Sequence, residues 1–175
     1  HLNDNYIFLE NYSTSEGAMS AYEGFRMESD VKAGGLNQAD LTSDDMYYTK
    51  AEMKSMIQNY RKLGLDIIPE FDTPAHSLSF TKVRPDLRFG TTGRQNDHFN
   101  LNTKYDESLA FVESIWDEYI KGDDPVFDRD TIVNIGTDEY DGQYTEQFRK
   151  FTDDLLAYIQ DNGNTVRLWG SLTAR

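Results

Sequence analysis

Three segments of the chain place apolar residues at helical spacing, and each is followed by a short apolar run of strand character. The first opens on Thr49-Lys50-Ala51-Glu52, a capping box in which the threonine hydroxyl accepts from the third helical N–H and the glutamate reaches back. Met53, Met56, Ile57, Tyr60 and Leu63 then recur in phase, and Gly64 supplies the stop. Leu65-Asp66-Ile67-Ile68 reads as a strand ended by Pro69, with the polar run Glu70, Asp72, Thr73 and His76 just beyond it. A second helix is expected over about 106–121, with Leu109, Val112, Ile115, Trp116 and Tyr119 on one face and Gly122 at its end. The strand expected at 131–136 runs directly into Asp138-Glu139. A third helix is expected over about 145–161, with Phe148, Phe151, Leu155 and Ile159 in phase, and 165–169 forms a last strand. The opening residues, His1-Leu2-Asn3-Asp4-Asn5, also read as a strand end.

Residues 11–48 lack sustained periodicity. They are rich in Gly, Ser, Thr, Asn and Asp, yet also in Tyr and Phe. Connections of that length are uncommon and usually functional, so an ordered active-site loop is expected there, with a short hairpin around Phe25-Arg26-Met27. A second irregular stretch covers 81–104.

Helix–strand alternation with short apolar strands implies an α/β fold built on a parallel sheet. Acidic and imidazole side chains cluster after the carboxyl ends of the strands, the arrangement of (β/α)8 enzymes. No glycine-rich phosphate turn is present to support a nucleotide fold. A complete barrel of that kind takes about 250 residues, and this chain has 175. The expectation is therefore a partial TIM barrel, about half of one, with 1–175 a fragment of a longer catalytic domain that extends at both ends. Open barrel edges would then favour self-association into a homo-oligomer.

Composition narrows the partners. Lys and Arg number 17 against 31 Asp and Glu, a formal net charge of −14, which opposes binding to nucleic acid or to an anionic membrane surface. The aromatic share of 13% is too high for a disordered acidic tail and can line both a core and a ring-walled pocket. Cysteine is absent, which removes disulfide frameworks and thiolate metal sites. No run approaches the ~18 apolar residues of a membrane helix.

Candidate chemistry converges on three strand ends: His1 and Asp4; Glu70, Asp72 and His76; Asp138 and Glu139. Carboxylates held close to one another, or desolvated by aromatics, have raised pKa values and can serve as general acids near neutrality. Asp-Glu also occurs at Asp106-Glu107 and Asp117-Glu118, where a helix start and a solvated helix face explain it; only Asp138-Glu139 follows a β-branched strand. Trp116, in phase with its helix, is expected in the core. Trp169, at a strand end, fits either core or pocket wall.

Three motifs in order resemble the glycoside hydrolase family 20 catalytic barrel, the β-N-acetylhexosaminidases and lacto-N-biosidases. His1-Leu2-Asn3-Asp4-Asn5 is similar to the family's H-L-x-D-D, Ile68-Pro69-Glu70-Phe71-Asp72-Thr73-Pro74-Ala75-His76 to I-P-E-x-D-x-P-G-H, and Asn134-Ile135-Gly136-Thr137-Asp138-Glu139 to H-x-G-G-D-E. Asn5, Ala75, Asn134 and Thr137 depart from that pattern, and none removes a charged catalytic group. The resemblance implies retention with substrate assistance, an exception to the two-carboxylate scheme. Glu139 would be the general acid/base, and Asp138 would orient the 2-acetamido group that forms an oxazolinium ion. Asp4 and His76 would form the supporting relay, and His1, Asp72 and Trp169 would lie on the substrate side. It implies no cofactor and no metal. The substrate would be a glycan ending in GlcNAc, GalNAc or lacto-N-biose. A secreted or cell-surface bacterial setting is compatible with it, and it puts a sugar-binding arginine before His1. Two rivals stand beside it: a metal-dependent barrel hydrolase using Glu70, Asp72, His76 and Asp138 as ligands, and an inactive carbohydrate-binding fragment.

Overall fold

The computed structural model describes residues 48–90 and 93–169, so His1, Asp4 and the connection expected at 11–48, all but Tyr48, lie outside the described residues. The chain divides into two compact units, 1–53 and 54–175. In the first, the capping box forms as its residues dictate: Glu52 N–H donates to the Thr49 hydroxyl at 3.2 Å, and Thr49 N–H donates to the Glu52 carboxylate at 2.8 Å. Helix α1, Lys50–Lys62, grows from this cap. Of its apolar residues only Ile57 is buried.

The second unit carries the parallel sheet. Strands β1 (Glu70–Thr73), β2 (Val133–Gly136) and β3 (Val166–Arg167) lie side by side in that order, all parallel. Parallel neighbours need crossover connections. The first contains helix α2 (Leu78–Val83) and helix α3 (Tyr105–Ile120), and the second contains helix α4 (Thr145–Asp161). Short 3-10 turns at Pro85–Leu87, Gly93–Asp97 and Gly142–Tyr144 fill the connections. The α/β alternation is thus borne out, within a small sheet.

The strand expected at 65–68 is not where the ladder forms. Leu65 is exposed, and pairing starts at Pro69, whose carbonyl accepts from Asn134 N–H at 2.8 Å. Proline cannot donate, but it can open a strand. The register then pairs Glu70 with Asn134 and Thr73 with Gly136. Glu70 and Asp72 therefore sit within β1 rather than beyond it. Three residues of β1 thus span two of β2, so the ladder is irregular between Glu70 and Thr73.

Phe71 faces the core. Its ring lies 4.6 Å from Trp116 and 5.4 Å from Tyr119, which stacks in turn on Phe127. Val112, Trp116 and Tyr119 of α3 and Phe148, Phe151, Leu155 and Ile159 of α4 are buried against the sheet, as their periodicity requires. Trp116 is fully buried, as expected. Gly64, Gly122 and Gly163 follow the three long helices with φ of 78, 97 and 98°.

Gly136 has a stricter task. Its φ is +72°, and a Cβ there would lie 2.6 Å from the Asp72 Cα and would overlap the Asp72 carboxylate. The close approach of β1 and β2 therefore requires the absence of a side chain. Gly136→Ala is expected to lose about 3 kcal/mol from left-handed strain plus overpacking. Gly122→Ala, which meets no atom within 4 Å, should lose only the strain, about 1 kcal/mol. Chemical denaturation of the two variants measures the difference, and equal losses would refute the steric account.

Candidate active site

The site lies where the carboxyl ends of β1 and β2 meet. Thr137 N–H donates to the Thr73 carbonyl at 3.1 Å and joins the two exits. Beyond that bond the backbone is unusual. His76, Thr137 and Glu139 have φ of 52, 64 and 53°, three left-handed residues without glycine's freedom. Thr137 is β-branched and fully buried, and its hydroxyl donates to the Gly136 carbonyl at 2.6 Å. In a regular strand Asp138 and Glu139 would point to opposite faces. Here the left-handed turns bring both toward one imidazole: His76 Nε2 lies 3.9 Å from Asp138 Oδ1 and 3.5 Å from Glu139 Oε2.

Asp72 completes the cluster, with its ligand atom, that of His76 and that of Asp138 all within 4.8 Å of one another. Burial, reinforced by the negative charge of Asp138, pushes the Asp72 carboxyl up to about 7. Oδ1 of Asp72 and Oδ1 of Asp138 are buried without a hydrogen-bond partner among the described residues. Two carboxylates have no proton to donate, whereas a protonated Asp72 gives Asp138 a donor. The imidazole of His76 is pushed up to about 9, first by its bond to Asp97, against burial, and then by the charges of Asp72, Asp97 and Asp138. Asp97, whose Oδ2 lies 3.4 Å from His76 Nδ1, comes from the stretch read as irregular. An Asp-His pair, Asp97-His98, was its only sequence signal.

The remaining candidates separate. Glu70 accepts from Asn134 Nδ2 at 2.6 Å and stays out of the cluster, so the four-ligand metal set reduces to three among the described residues. A cation held there would have to compete with the protons that the raised pKa values of Asp72 and His76 favour. Trp169 donates its backbone N–H to the Gly136 carbonyl at 2.9 Å, which ties it beside the exit of β2. Trp169 is 49% exposed, so it is not core.

Comparison with known proteins places these features in context. The sequence model of the glycosyl hydrolase family 20 catalytic domain matches residues 14–165. The chain is 24% identical over 145 residues to lacto-N-biosidase of Bifidobacterium bifidum, covering 70% of this chain and 13% of that protein. It is 31% identical over 113 residues to human β-hexosaminidase subunit beta, covering 61% of this chain and 19% of that protein. It therefore spans less than a fifth of either relative. The fold is similar to that of Flavobacterium johnsoniae chitobiase, with a TM-score of 0.61 at 20% identity over 78% of this chain and 24% of that one.

The charge arrangement has a pH signature. Asp72 stands raised from 3.8 to about 7, so its contribution is complete below pH 3.8 and is lost as pH rises through 7. His76 stands raised from 6.5 to about 9, so its contribution is complete below pH 6.5 and is lost as pH rises through 9. The melting temperature should fall across both windows, and Asp72→Asn should flatten the lower one and, by removing one of the charges that raise His76, narrow the upper one. Circular dichroism melts across this range test it, and an unchanged lower slope in Asp72→Asn would contradict the assignment.

Proposed function

The chain belongs to glycosyl hydrolase family 20, and on that footing we propose that it carries the acid machinery of a retaining exo-glycosidase. The bond cleaved is that of a terminal β-linked N-acetylhexosamine, or of lacto-N-biose, on a glycan. The observation that carries the reading is the single imidazole nitrogen of His76 within 3.9 Å of two sequence-adjacent carboxylates, Asp138 and Glu139. Two such groups on one side of a pocket cannot flank a scissile bond as acid and nucleophile. They can serve different atoms of one substrate.

Glu139, whose side chain is 54% exposed, is the group that reaches the leaving oxygen. Its proton passes to that oxygen as the C1–O bond breaks, while the carbonyl oxygen of the substrate's own 2-acetamido group bonds to C1. The product of that step is an oxazolinium ion, which carries positive charge. Asp138 supports it by accepting the acetamido N–H and balancing the charge. Glu139, now a carboxylate, takes a proton from water as the water oxygen bonds to C1 and the five-membered ring reopens with retention. Asp72 stands beside Asp138 and borders the acetamido subsite. Trp169 offers a ring to the sugar face. By the same resemblance Asp4 adds to the support of His76, and His1 lies on the substrate side. The three parallel strands are then part of a (β/α)8 barrel, of which this chain provides about half.

The inactive-fragment and metal readings are met by the same assay. Turnover of p-nitrophenyl N-acetyl-β-glucosaminide should drop by about 10²–10⁴-fold in Glu139→Gln and should be indifferent to chelator. Retained turnover in that variant would sink the acid assignment. Replacing the substrate by the matching glucoside, which lacks the acetamido group, should leave little hydrolysis; equal rates on both would count against substrate assistance.

A further inference from the structure

Behind His76 lies a second layer of polar side chains that the family motifs do not include. Asp97 divides its carboxylate between two imidazoles. Oδ2 lies 3.4 Å from Nδ1 of His76, and Oδ1 lies 2.7 Å from Nδ1 of His98. His98 is 2% exposed and stacks on Tyr140, with ring centroids 4.8 Å apart. Its Nε2 is buried without a partner among the described residues, which assigns the Nδ1 proton to the bond with Asp97. Burial favours protonation of Asp97, but the bonds from His76 and His98 outweigh it and hold the carboxyl well below its ordinary range.

The backbone around Asp97 is fixed from both sides. Ser77 N–H donates to the Asp97 carbonyl at 2.7 Å, and Phe99 N–H donates to the Pro74 carbonyl at 2.9 Å. On the opposite side Phe89 N–H donates to the His98 carbonyl at 2.9 Å, and Asn100 N–H donates to the Leu87 carbonyl at 2.8 Å. Tyr140, the residue after Glu139, donates its hydroxyl to the Phe99 carbonyl at 2.7 Å and accepts from Leu101 N–H at 3.2 Å. The strip 97–101 is thereby registered against the segment bearing His76 and against the residue adjoining Glu139. A carboxylate so placed meets His76 by construction.

We propose that Asp97 is a positioning residue of this site: it holds Nδ1 of His76 and so aims Nε2 at Glu139, while His98 braces the carboxylate from behind. The proposal rests on Glu139 as the acid. Hydrogen-bond partners of this kind fix ring orientation and tautomer, and at metal-bound histidines their loss costs about 10–100-fold. The groups facing His76 are Asp72 from β1, Asp97 from the 3-10 turn, and Asp138 and Glu139 after β2. Removing the charge of Asp97 makes His76 release its proton at lower pH.

The test compares Asp97→Asn, Asp97→Glu and Glu139→Gln in the intact protein, with p-nitrophenyl N-acetyl-β-glucosaminide as substrate and NMR titration of the ring carbons. Only three histidines are present, so His76 is assignable. Asp97→Asn should lower the His76 midpoint by about one unit or more. It should also lower kcat by about tenfold or more with KM little changed, and move the alkaline limb of the rate profile to lower pH. Asp97→Glu, which keeps the charge, should hold the midpoint and recover part of kcat. An unmoved midpoint, or wild-type kcat and pH profile in Asp97→Asn, would overturn the proposal. Loss of fold in both Asp97 variants would assign Asp97 to stability and also overturn it. Full turnover in Glu139→Gln would instead remove the acid assignment itself, a failure separable because the midpoint is read without turnover.

Discussion

Everything at this site depends on how closely two parallel strands can approach at their carboxyl ends. Gly136 of β2 lies against the Asp72 main chain of β1, where a single methyl group would not fit. That contact sets the separation between Asp72 and Asp138, and hence the strength of their repulsion. A half-buried Asp72 a few ångströms from a second carboxyl keeps its proton to higher pH. The geometry of the backbone and the protonation of the pocket are therefore one property. Widening the strand spacing would relax both together.

The second determinant is the local handedness of the chain. Three non-glycine residues in the left-handed region occupy the two strand exits. Each carries an energetic cost of about 1–3 kcal/mol, sustained by the surrounding packing. Buried Thr137, with its hydroxyl bonded to the preceding carbonyl, and Tyr140, fully enclosed between His98 and Phe148, supply that packing around Glu139. The result is a carboxylate that stands half in solvent on a backbone that cannot relax.

Much of this was legible in the residues and some was not. Helices α3 and α4 bury the faces that their periodicity defines, and the cap of α1 forms from four residues because all its groups are local. The position of β1 was not legible. Leu65-Asp66-Ile67-Ile68 has the composition of a strand, yet a ladder is decided by its partner, and Asn134 reaches only as far as the Pro69 carbonyl. Asp72, His76, Asp138 and Glu139 converge in the described site, while His1 and Asp4 lie outside the described residues. Asp97 and His98 escaped notice because their placement comes from tertiary hydrogen bonds, and a stretch without periodicity announces none of these.

The clamp formed by Tyr140 has a consequence for how this site can be transferred or altered. Its hydroxyl joins residues 39 and 41 positions away, and the Asn134–Glu70 bond spans 64. The working geometry is thus stored in long-range closure rather than in any contiguous peptide. A graft of the Asp138-Glu139 turn alone would bring the carboxylates without the strip that orients their imidazole. Loop closure of this kind costs entropy before its contacts form. A substitution at Asp97, 42 positions from Glu139 in sequence, thus acts on the acid through His76.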